Sequence, residues 1–426
     1  MAEVKGFKGV RYSEKAGDIS ELCCPPYDII SEEQRRNYLS RNPHNIIRLE
    51  LPKEGDNPYK TASSVLGEWL KKEILVKDKE PSLYVYEEEF TVKGVKKSVK
   101  GVIARVKLEE FSKGIILPHE FTLSNAKEDR LNLMKATNFN FSQIYALYMD
   151  ESHTTLNTLE QQSSGEPAQE FTDEQGVTHR LWIITDEKII KKIADDFSER
   201  KLYIADGHHR YETALNYRNY LRENGKVKEG DGCDYQMIYL VDMEHPGLVV
   251  YPTHRLVREL ESFNKDRILE ECKEYFSVEE KSDVDKMETE LETLYNAGKK
   301  AFGFYCGGES WTLLTLKSFD ALDNMLPDVS QASRELDVTV LHTLILENIL
   351  GIDKENMAKQ INLTYTKSFD EAVKGVNDGG FQCAFILNPT RVTEIRDVAL
   401  AGEKMPQKST YFYPKMITGM VMNELE

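Results

Sequence analysis

The stretch Leu202-Tyr203-Ile204-Ala205-Asp206-Gly207-His208-His209-Arg210-Tyr211-Glu212-Thr213-Ala214 decides the fold at the centre of the chain. Its four apolar residues predict a short buried strand, Asp206-Gly207 predicts a sharp turn, and residues 208–223 predict an amphipathic helix. The apolar face of that helix contains Tyr211, Ala214, Leu215 and Leu221. The pattern therefore predicts a strand that turns abruptly into a helix.

Three side chains that can carry positive charge, His208, His209 and Arg210, stand in the first turn of this helix. A helix N-terminus already carries about half a positive charge, so cations there are unfavourable by about a few tenths of a kcal/mol. A bound phosphate or carboxylate reverses this cost, because the free N–H groups and the cations then face an anion. Asp206 is predicted to cap the helix or to hold Mg²⁺, and Gly207 allows close backbone approach. In the alternative, Asp206 caps the helix and the histidines only satisfy local hydrogen bonds.

Working outward, the surrounding sequence is rich in strands. β-Branched and aromatic residues predict strands at 82–90, 98–108, 143–149, 178–185, 235–242 and 248–251. Near the N-terminus, one helix is predicted to begin after Ser31 and another to cover Tyr59 to Glu73. The polar stretch 151–169 is interpreted as a surface excursion.

After about residue 260 the pattern changes to helices alternating with short strands. A hairpin is predicted from Ala301–Tyr305 and Trp311–Leu316, turned at Gly307-Gly308. Further helices are predicted at 266–275, 284–295, 338–350 and 369–376, and further strands at 361–365 and 381–387. The predicted fold class is α+β, with an N-terminal segment 1–80, a mixed α/β core 81–260 with an insertion at about 150–180, and an α+β domain 261–426.

Composition restricts the classes of function. The chain has 426 residues, and 55 Lys+Arg against 72 Asp+Glu give a net charge of −17. This acidic balance, without a basic block, argues against a dedicated nucleic-acid binder. No apolar run approaches the ~20 residues that a membrane helix needs. The six cysteines show no zinc spacing and no secretory context, so reduced thiols and a cytoplasmic location are predicted.

A second candidate site lies in the stretch Ile115 to Thr122, where His119-Glu120 follows an apolar strand end. Glu120 is predicted to act as a general base, since a carboxylate can accept a proton from a substrate hydroxyl or ammonium group. Arg130 would be a second anion clamp. In the alternative, these are solvated loop charges.

The remaining candidates lie towards the two ends of the chain. Thr253-His254-Arg255 follows a strand and could complete a basic pocket, and the C-terminal stretch Met405 to Lys415 contains Lys408, Ser409, Thr410 and Lys415. This stretch is not a P-loop, because Gln407 stands where the second glycine is required. Its cations and hydroxyls are predicted to reach a phosphate from a closing loop, or else its aromatic residues only dock on the core. Tyr27, Asp28 and Arg48 are predicted to add to the pocket.

Several of these motifs occur in order over nearly the whole chain, and on them the chain is identified as a member of a bacterial and archaeal family. The family is catalogued as the domain of unknown function numbered one thousand and fifteen. The motifs are Cys24-Pro25-Pro26-Tyr27-Asp28, Pro118-His119-Glu120-Phe121-Thr122, Asp129-Arg130, the corner at 206–214, Pro252-Thr253-His254-Arg255 and Met405 to Lys415.

The Asp-Gly-His-His-Arg corner resembles the phosphate-binding corner of the ParB/sulfiredoxin-like superfamily, which includes free-serine kinases. The resemblance implies a core of that fold, with Glu120 as the catalytic base and residues 206–210 as the phosphoryl site. The chain departs from the compact fold by having about 80 residues between these two motifs and additional N- and C-terminal parts.

The resemblance implies a small-molecule phosphotransferase, in the first place a free L-serine kinase that forms O-phosphoserine with Mg²⁺. The donor would be pyrophosphate or a nucleotide, and the lack of a recognisable adenine site favours pyrophosphate. In this assignment Glu120, Asp206 and His208 are catalytic, and Tyr27, Asp28, Arg48 and Thr122 bind substrate. The phosphate-binding residues are Gly207, His209, Arg210, Arg130, Thr253, His254, Arg255, Lys408, Ser409, Thr410 and Lys415.

Other functions remain open. One is a nucleotide-binding ParB-like switch protein. Such a protein needs a basic DNA-binding region, and the net charge of −17 argues against one in this chain. A sulfiredoxin-like reductase needs a cysteine beside the corner, but position 208 is His and Cys233 lies 25 residues on (233 − 208). A phosphate-ester hydrolase is the alternative enzyme. No nucleic-acid or membrane partner is predicted.

Overall fold

The computed structural model describes residues 1–120 and 124–425, and the side chains of 124–126 lie outside this description. The chain forms two compact units. Unit 1 contains Met1–Pro118, Thr122–Val249 and Pro414–Glu426, and unit 2 contains His119–Phe121 and Val250–Tyr413. The predicted division into 1–80, 81–260 and 261–426 differs from these units, since the first two segments fall largely together and the C-terminal end joins them.

Unit 1 combines helices with strands, as the predicted α+β class requires. Its helices are α1 (Ile19–Leu22), α2 (Glu32–Arg41), α3 (Ile47–Glu50), α4 (Pro58–Lys71), α5 (Ser124–Thr137), α6 (Thr154–Gln162), α7 (Glu187–Phe197) and α8 (His208–Glu223). Its strands up to residue 242 are β1 (Val4–Lys5), β2 (Val10–Tyr12), β3 (Leu75–Lys77), β4 (Leu83–Val92), β5 (Val95–Lys107), β6 (Ile116–Leu117), β7 (Phe139–Asn140), β8 (Ile144–Tyr148), β9 (Gln169–Thr172), β10 (Thr178–Ile184), β11 (Leu202–Asp206) and β12 (Tyr235–Asp242).

The main sheet of unit 1 places the predicted corner near one edge. Its strand order over the described residues is β6-β11-β8-β12-β5-β4-β10-β9, with β1 added on β5. β11 runs parallel to β6 and antiparallel to β8, with a register shift between Ile204 and Asp206. Leu202 and Ile204 are fully buried, and they pack in one core with Tyr211 and Ala214 of α8. The buried strand therefore fixes where α8 begins.

Unit 2 is a second α+β unit. Its helices are α9 (Lys265–Cys272), α10 (Met287–Asn296), α11 (Asp320–Met325), α12 (Gln331–Arg334), α13 (Asp337–Val340), α14 (Lys354–Lys359), α15 (Phe369–Asn377) and α16 (Val392–Leu400). The remaining strands are β13 (Val249–Tyr251), β14 (His254–Val257), β15 (Phe276–Lys281), β16 (Ala301–Tyr305), β17 (Trp311–Leu316), β18 (Leu363–Thr366), β19 (Cys383–Ile386), β20 (Tyr411–Tyr413) and, back in unit 1, β21 (Asn423–Glu424). The unit 2 sheet has the order β15-β17-β16-β19-β14-β18.

Two predictions about local structure are confirmed only in part. The polar stretch 151–169 contains helix α6, because Leu156 and Leu159 provide a buried apolar contact that its polar composition hides. The predicted helix 338–350 begins as α13 but continues as a π-helix over Leu341–Glu347. Nowhere in residues 1–120 and 124–425 is a helix both long enough and apolar enough to cross a membrane.

A buried carboxyl group lies on the covered face of β4. Glu88 is 1% exposed, and its Oε2 has no hydrogen-bond partner in the described part of the chain. Its Oε1 accepts a long hydrogen bond of 3.4 Å from Tyr86 and lies 3.9 Å from Nδ1 of His179. Burial raises the pKa of Glu88 to about 8, so folding favours the protonated form.

We expect Glu88→Gln to remove a pH-dependent loss of stability. The native state keeps a proton on Glu88 that the unfolded chain releases near the ordinary value of 4.5, so this contribution is lost as pH rises towards 8. Between pH 5 and 7 the wild-type free energy of unfolding should fall relative to that of the variant by about 2.5 kcal/mol. Urea unfolding at both pH values measures this difference.

Glu89→Gln is the matched control, since Glu89 lies on the opposite face of the same strand. Its pKa is lowered by its hydrogen bond to Lys96, so its contribution is present at neutral pH and disappears only as pH falls through the acid range. If the E88Q and wild-type curves run parallel between pH 5 and 7, Glu88 is not protonated in the native state.

Candidate functional site

The corner of unit 1 has the predicted geometry of strand, glycine turn and helix. Gly207 is the N-cap of α8 with φ 93°, a left-handed conformation that glycine adopts without strain, and it provides no side-chain cap. The expectation that Asp206 caps α8 is therefore wrong. His208 is buried and His209 is half-buried in the first turn. The N-cap residue of α8 is therefore Gly207 and not Asp206.

Asp206 instead holds two cations. Its Oδ2 accepts a hydrogen bond of 2.8 Å from Nη2 of Arg210, and its Oδ1 pairs with the Lys415 ammonium. Although burial alone would raise the pKa of Asp206, the charges of Lys415 and Arg210 lower it well below its usual range. Arg210 also donates to the carbonyl of Gln143. The carboxylate therefore stays ionised and fixes both cations at the corner.

Gly207→Ala tests how closely Arg210 approaches this turn. A Cβ at position 207 would lie 3.0 to 3.1 Å from the Arg210 guanidinium, in a backbone conformation that L-residues rarely adopt. We expect G207A to lower the free energy of unfolding by about 1–3 kcal/mol. Chemical denaturation measures this loss.

Gly225→Ala is a control for backbone strain alone, because Gly225 has φ 63° and a Cβ there would meet nothing within 4 Å. G207A should therefore cost more than G225A. Equal losses would show that Arg210 does not crowd the turn.

A second charged cluster of unit 1 is built around Arg130. Its Nη2 lies 2.6 Å from Asp129 Oδ2, its Nη1 lies 3.7 Å from Oε1 of buried Glu50, and its guanidinium lies 4.1 Å from the Tyr27 ring centre. Burial raises the pKa of Glu50, while the Arg130 charge and a 2.8 Å hydrogen bond from Ser142 oppose this. Arg130 and Arg210 both line a cavity of about 30 Å³, which is large enough to hold water.

The other N-terminal candidates contribute to this cluster to different degrees. Burial raises the pKa of Tyr27 to about 12, although the charges of Arg130 and Arg210 oppose the shift. Asp28 is exposed next to Tyr27. Arg48 donates to the carbonyl of Leu39 at 3.3 Å. Tyr27 is therefore the N-terminal residue most closely tied to the corner.

Unit 2 builds a contact network around Glu120. The amide of Met405 donates to the carbonyl of His119 at 2.7 Å and fixes this short segment. The Thr410 hydroxyl lies 3.1 Å from Nε2 of His119 and donates to Oε1 of Glu120 at 3.4 Å. Thr410 therefore orients the Glu120 carboxylate.

Arg255 is the most deeply buried cation of unit 2, with no exposed surface. It donates to Nε2 of His342 at 3.2 Å, to the carbonyl of Lys408 at 3.2 Å and to the carbonyl of Thr253. Burial lowers the pKa of Arg255 to about 10 and, with help from the Arg255 charge, that of His254 to about 3. His254 is therefore a neutral imidazole, whereas the sequence analysis predicts that it contributes to a basic pocket.

Hydrogen bonds to main-chain carbonyl groups hold the loop Lys408-Ser409-Thr410. Lys408 is exposed and adopts φ 59°. The buried Ser409 hydroxyl donates to the carbonyl of Pro406, and the Ser409 carbonyl accepts from Thr390 at 2.9 Å. The Ser409 hydroxyl thus serves the shape of the loop.

The predicted site residues fall in both units. Unit 1 contains Tyr27, Asp28, Arg48, Arg130, Asp206, Gly207, His208, His209, Arg210 and Lys415, and unit 2 contains Glu120, Thr253, His254, Arg255, Lys408, Ser409 and Thr410. Thr122 lies outside the described residues. Sequence reasoning missed Gln143, Glu50 and Ser142 at the corner and its neighbouring cluster, and His342 in unit 2, since none of them stands in a recognisable motif.

The predicted metal ligand Asp206 is already engaged by other groups in the described part of the chain. No group of three or more His, Cys, Asp or Glu side chains that could hold a metal occurs among them. Both carboxylate oxygens of Asp206, the predicted metal ligand, are already paired with cations. A metal at this carboxylate would have to displace Arg210 or Lys415.

Fold and corner together define an α+β protein with a cationic turn at a helix start. The chain belongs to the family described as "Protein of unknown function (DUF1015)", whose model matches residues 4–339. No curated protein matches the chain.

Solved structures that resemble the chain are distant. A conserved hypothetical protein from Pyrococcus furiosus shares 15% identity over 76% of this chain and 95% of that chain, with a TM-score of 0.36. A free serine kinase in complex with AMP shares 13% identity over 77% of this chain and 92% of that chain, with a TM-score of 0.38. SbnI with a C-terminal truncation from Staphylococcus aureus shares 10% identity over 74% and 85%, with a TM-score of 0.35.

Proposed function

We propose that this protein is a small-molecule phosphotransferase, and specifically a free L-serine kinase that forms O-phosphoserine from pyrophosphate or a nucleotide. The observation that carries the proposal is the corner of unit 1, where the start of α8 at Gly207 adjoins Arg210 and Lys415, both fixed on Asp206. Backbone N–H groups and oriented cations are the groups with which proteins bind phosphate. The motifs shared with the free-serine-kinase branch give the same assignment.

In the proposed reaction the serine hydroxyl oxygen attacks the terminal phosphorus of the donor. The bond from that phosphorus to the bridging oxygen breaks. When the donor is pyrophosphate, its other phosphate group leaves as orthophosphate. Such transfers depend mainly on positioning and on neutralising charge at the phosphoryl oxygens. We assign that role to Arg210, Lys415 and the N–H groups of α8, with His208 and His209 beside them, and we assign the serine proton to Glu120.

Mg²⁺ enters the proposal with the donor and not as a resident metal. Magnesium keeps several waters and commonly binds through substrate phosphates with few protein ligands. Phosphoryl transfer should therefore stop when EDTA is added and return with excess Mg²⁺.

The test is incubation of the purified protein with L-serine, Mg²⁺ and ATP, ADP or pyrophosphate in separate reactions, with O-phosphoserine measured by mass spectrometry. We expect O-phosphoserine with at least one donor, and pyrophosphate is the favoured one. Phosphate release without a phosphorylated acceptor would indicate a hydrolase instead. If no donor gives O-phosphoserine, the proposed function is wrong.

Thr410→Val is expected to lower the turnover number about tenfold, because a small displacement of a reacting group is enough to slow a positioned reaction. The variant loses the hydroxyl that lies between His119 and Glu120. Thr410→Ser keeps this hydroxyl and should retain most of the activity. The initial rate of O-phosphoserine formation measures both; equal rates in the two variants would exclude this role for the hydroxyl.

A further inference from the structure

The cysteines of this chain differ in their access to solvent. Cys23, Cys24, Cys233, Cys272 and Cys383 are buried, whereas Cys306 is partly exposed. Oxidation by a small oxidant depends on exposure of the sulfur. Cys306 is therefore the cysteine that a dissolved oxidant reaches first.

A second thiol lies directly across the sheet from Cys306. In the antiparallel ladder of β16 and β19, Gly303 faces Ile386, Phe304 faces Phe385 and Tyr305 faces Ala384. One further step along this register places Cys306 opposite Cys383. Directly opposite residues in antiparallel strands have Cα atoms about 4.5–5.5 Å apart, inside the range of about 4.4–6.8 Å that a disulfide needs.

The neighbouring Cys306 also affects the titration of Cys383. Burial, and after it the Cys306 thiol, raises the pKa of Cys383 well above its usual value. Cys383 thus keeps its proton and is a poor first nucleophile towards a dissolved oxidant. It is placed to react second, with the sulfur of Cys306.

The backbone beside Cys306 allows the small adjustment that a new bond needs. Gly307 and Gly308 follow with φ 98° and 84°, and a Cβ at Gly308 would meet nothing within 4 Å. On the other side, Tyr305 anchors the strand end through a hydrogen bond of 2.8 Å to Asn377. Cys306 therefore lies where a fixed strand passes into a glycine turn.

We propose that Cys306 and Cys383 form an oxidation site in which a peroxide converts the two facing thiols into an intramolecular disulfide. The Cys306 sulfur attacks the peroxide, the O–O bond breaks, and Cys306 becomes a sulfenic acid while hydroxide leaves and takes up a proton to give water. The Cys383 sulfur then attacks the Cys306 sulfur, the S–O bond breaks, and a second water leaves. The sum is two thiols and one hydrogen peroxide giving one disulfide and two waters, so both sulfurs are oxidised and the peroxide oxygens are reduced.

The experiment uses the full chain and does not depend on the proposed kinase activity. The native protein is treated with hydrogen peroxide, free thiols are blocked by alkylation under denaturing conditions, and the digest is analysed by mass spectrometry. We expect the number of free thiols to fall by two and a peptide pair linked through Cys306 and Cys383 to appear, and dithiothreitol should reverse both changes.

Variants separate this pairing from general oxidation. Cys383→Ser should leave Cys306 as a sulfenic acid that dimedone captures, and Cys306→Ser should protect Cys383. Cys272→Ser, which removes a buried cysteine of the same unit, should behave like the wild type. The proposal is overturned if wild-type Cys306 ends as a sulfinic or sulfonic acid with Cys383 still alkylated, or if the linked pair contains another cysteine.

Discussion

Replacement of Arg210 by methionine is expected to lower the rate of O-phosphoserine formation, as kcat/KM, about 10³-fold. Arginines that neutralise a transferring phosphoryl group contribute about 10³–10⁵ in rate, and single preorganised donors about 10²–10³. Arg210 is held for this task by Asp206 at 2.8 Å and by the carbonyl of Gln143. In this variant Lys415 is the remaining cation that pairs with Asp206. Because the corner has lost one of its two cations, we also expect weaker binding of pyrophosphate, measured by calorimetry.

Arg222→Met is the matched control for this prediction. Arg222 stands in the last turn of the same helix, α8, and pairs with Asp234 at 2.7 Å. It should leave the transfer rate within a factor of about two, since Arg222 lies at the other end of α8 from Gly207. Arg210→Lys keeps the charge but loses the planar fork, so its rate should lie between those of R210M and the wild type. If R210M matches R222M, the corner does not bind the phosphoryl group.

The local patterns of the sequence predicted the elements that carry the corner. The strand was expected at 202–205 and the helix at 208–223, and the structure shows β11 at Leu202–Asp206 and α8 at His208–Glu223. The hairpin strands Ala301–Tyr305 and Trp311–Leu316 have the predicted bounds. In each case neighbouring residues alone define the element, through apolar periodicity or a glycine turn.

The sequence could not give the pairing of distant residues. Asp206 and Lys415 were both candidates, but they are 209 positions apart, and no local pattern states that the ammonium meets the carboxylate. His342 was missed because it stands within an apolar run, and its role as the acceptor for Arg255 depends on a π-helix that apolar spacing does not distinguish from an α-helix. Burial also determines the protonation state of a side chain. His254 is predicted from the sequence to be a cation, but in the folded protein burial lowers its pKa and it is neutral.

Glu120→Gln is expected to lower the turnover number by about 10²–10⁴-fold, the range that a positioned general base contributes. The amide keeps the size of the side chain and an oxygen that can accept the hydrogen bond from Thr410, but it cannot take the proton of the serine hydroxyl. Donor binding, which we assign to the corner of unit 1, should remain unchanged. The variant should therefore bind pyrophosphate like the wild type and yet transfer almost none of it.

Unchanged donor binding together with lost turnover distinguishes the loss of the general base from a loss of the folded structure. Glu355→Gln removes an exposed carboxylate of the same unit that pairs with Lys359 four residues on, and it should change neither binding nor turnover. R210M should weaken donor binding as well as turnover, so the two variants should differ in the binding measurement. If E120Q transfers phosphate at the wild-type rate, the serine proton goes elsewhere; if it also loses donor binding and thermal stability, Glu120 serves the structure of unit 2. Unchanged binding with lost turnover is the result that assigns the proton to Glu120.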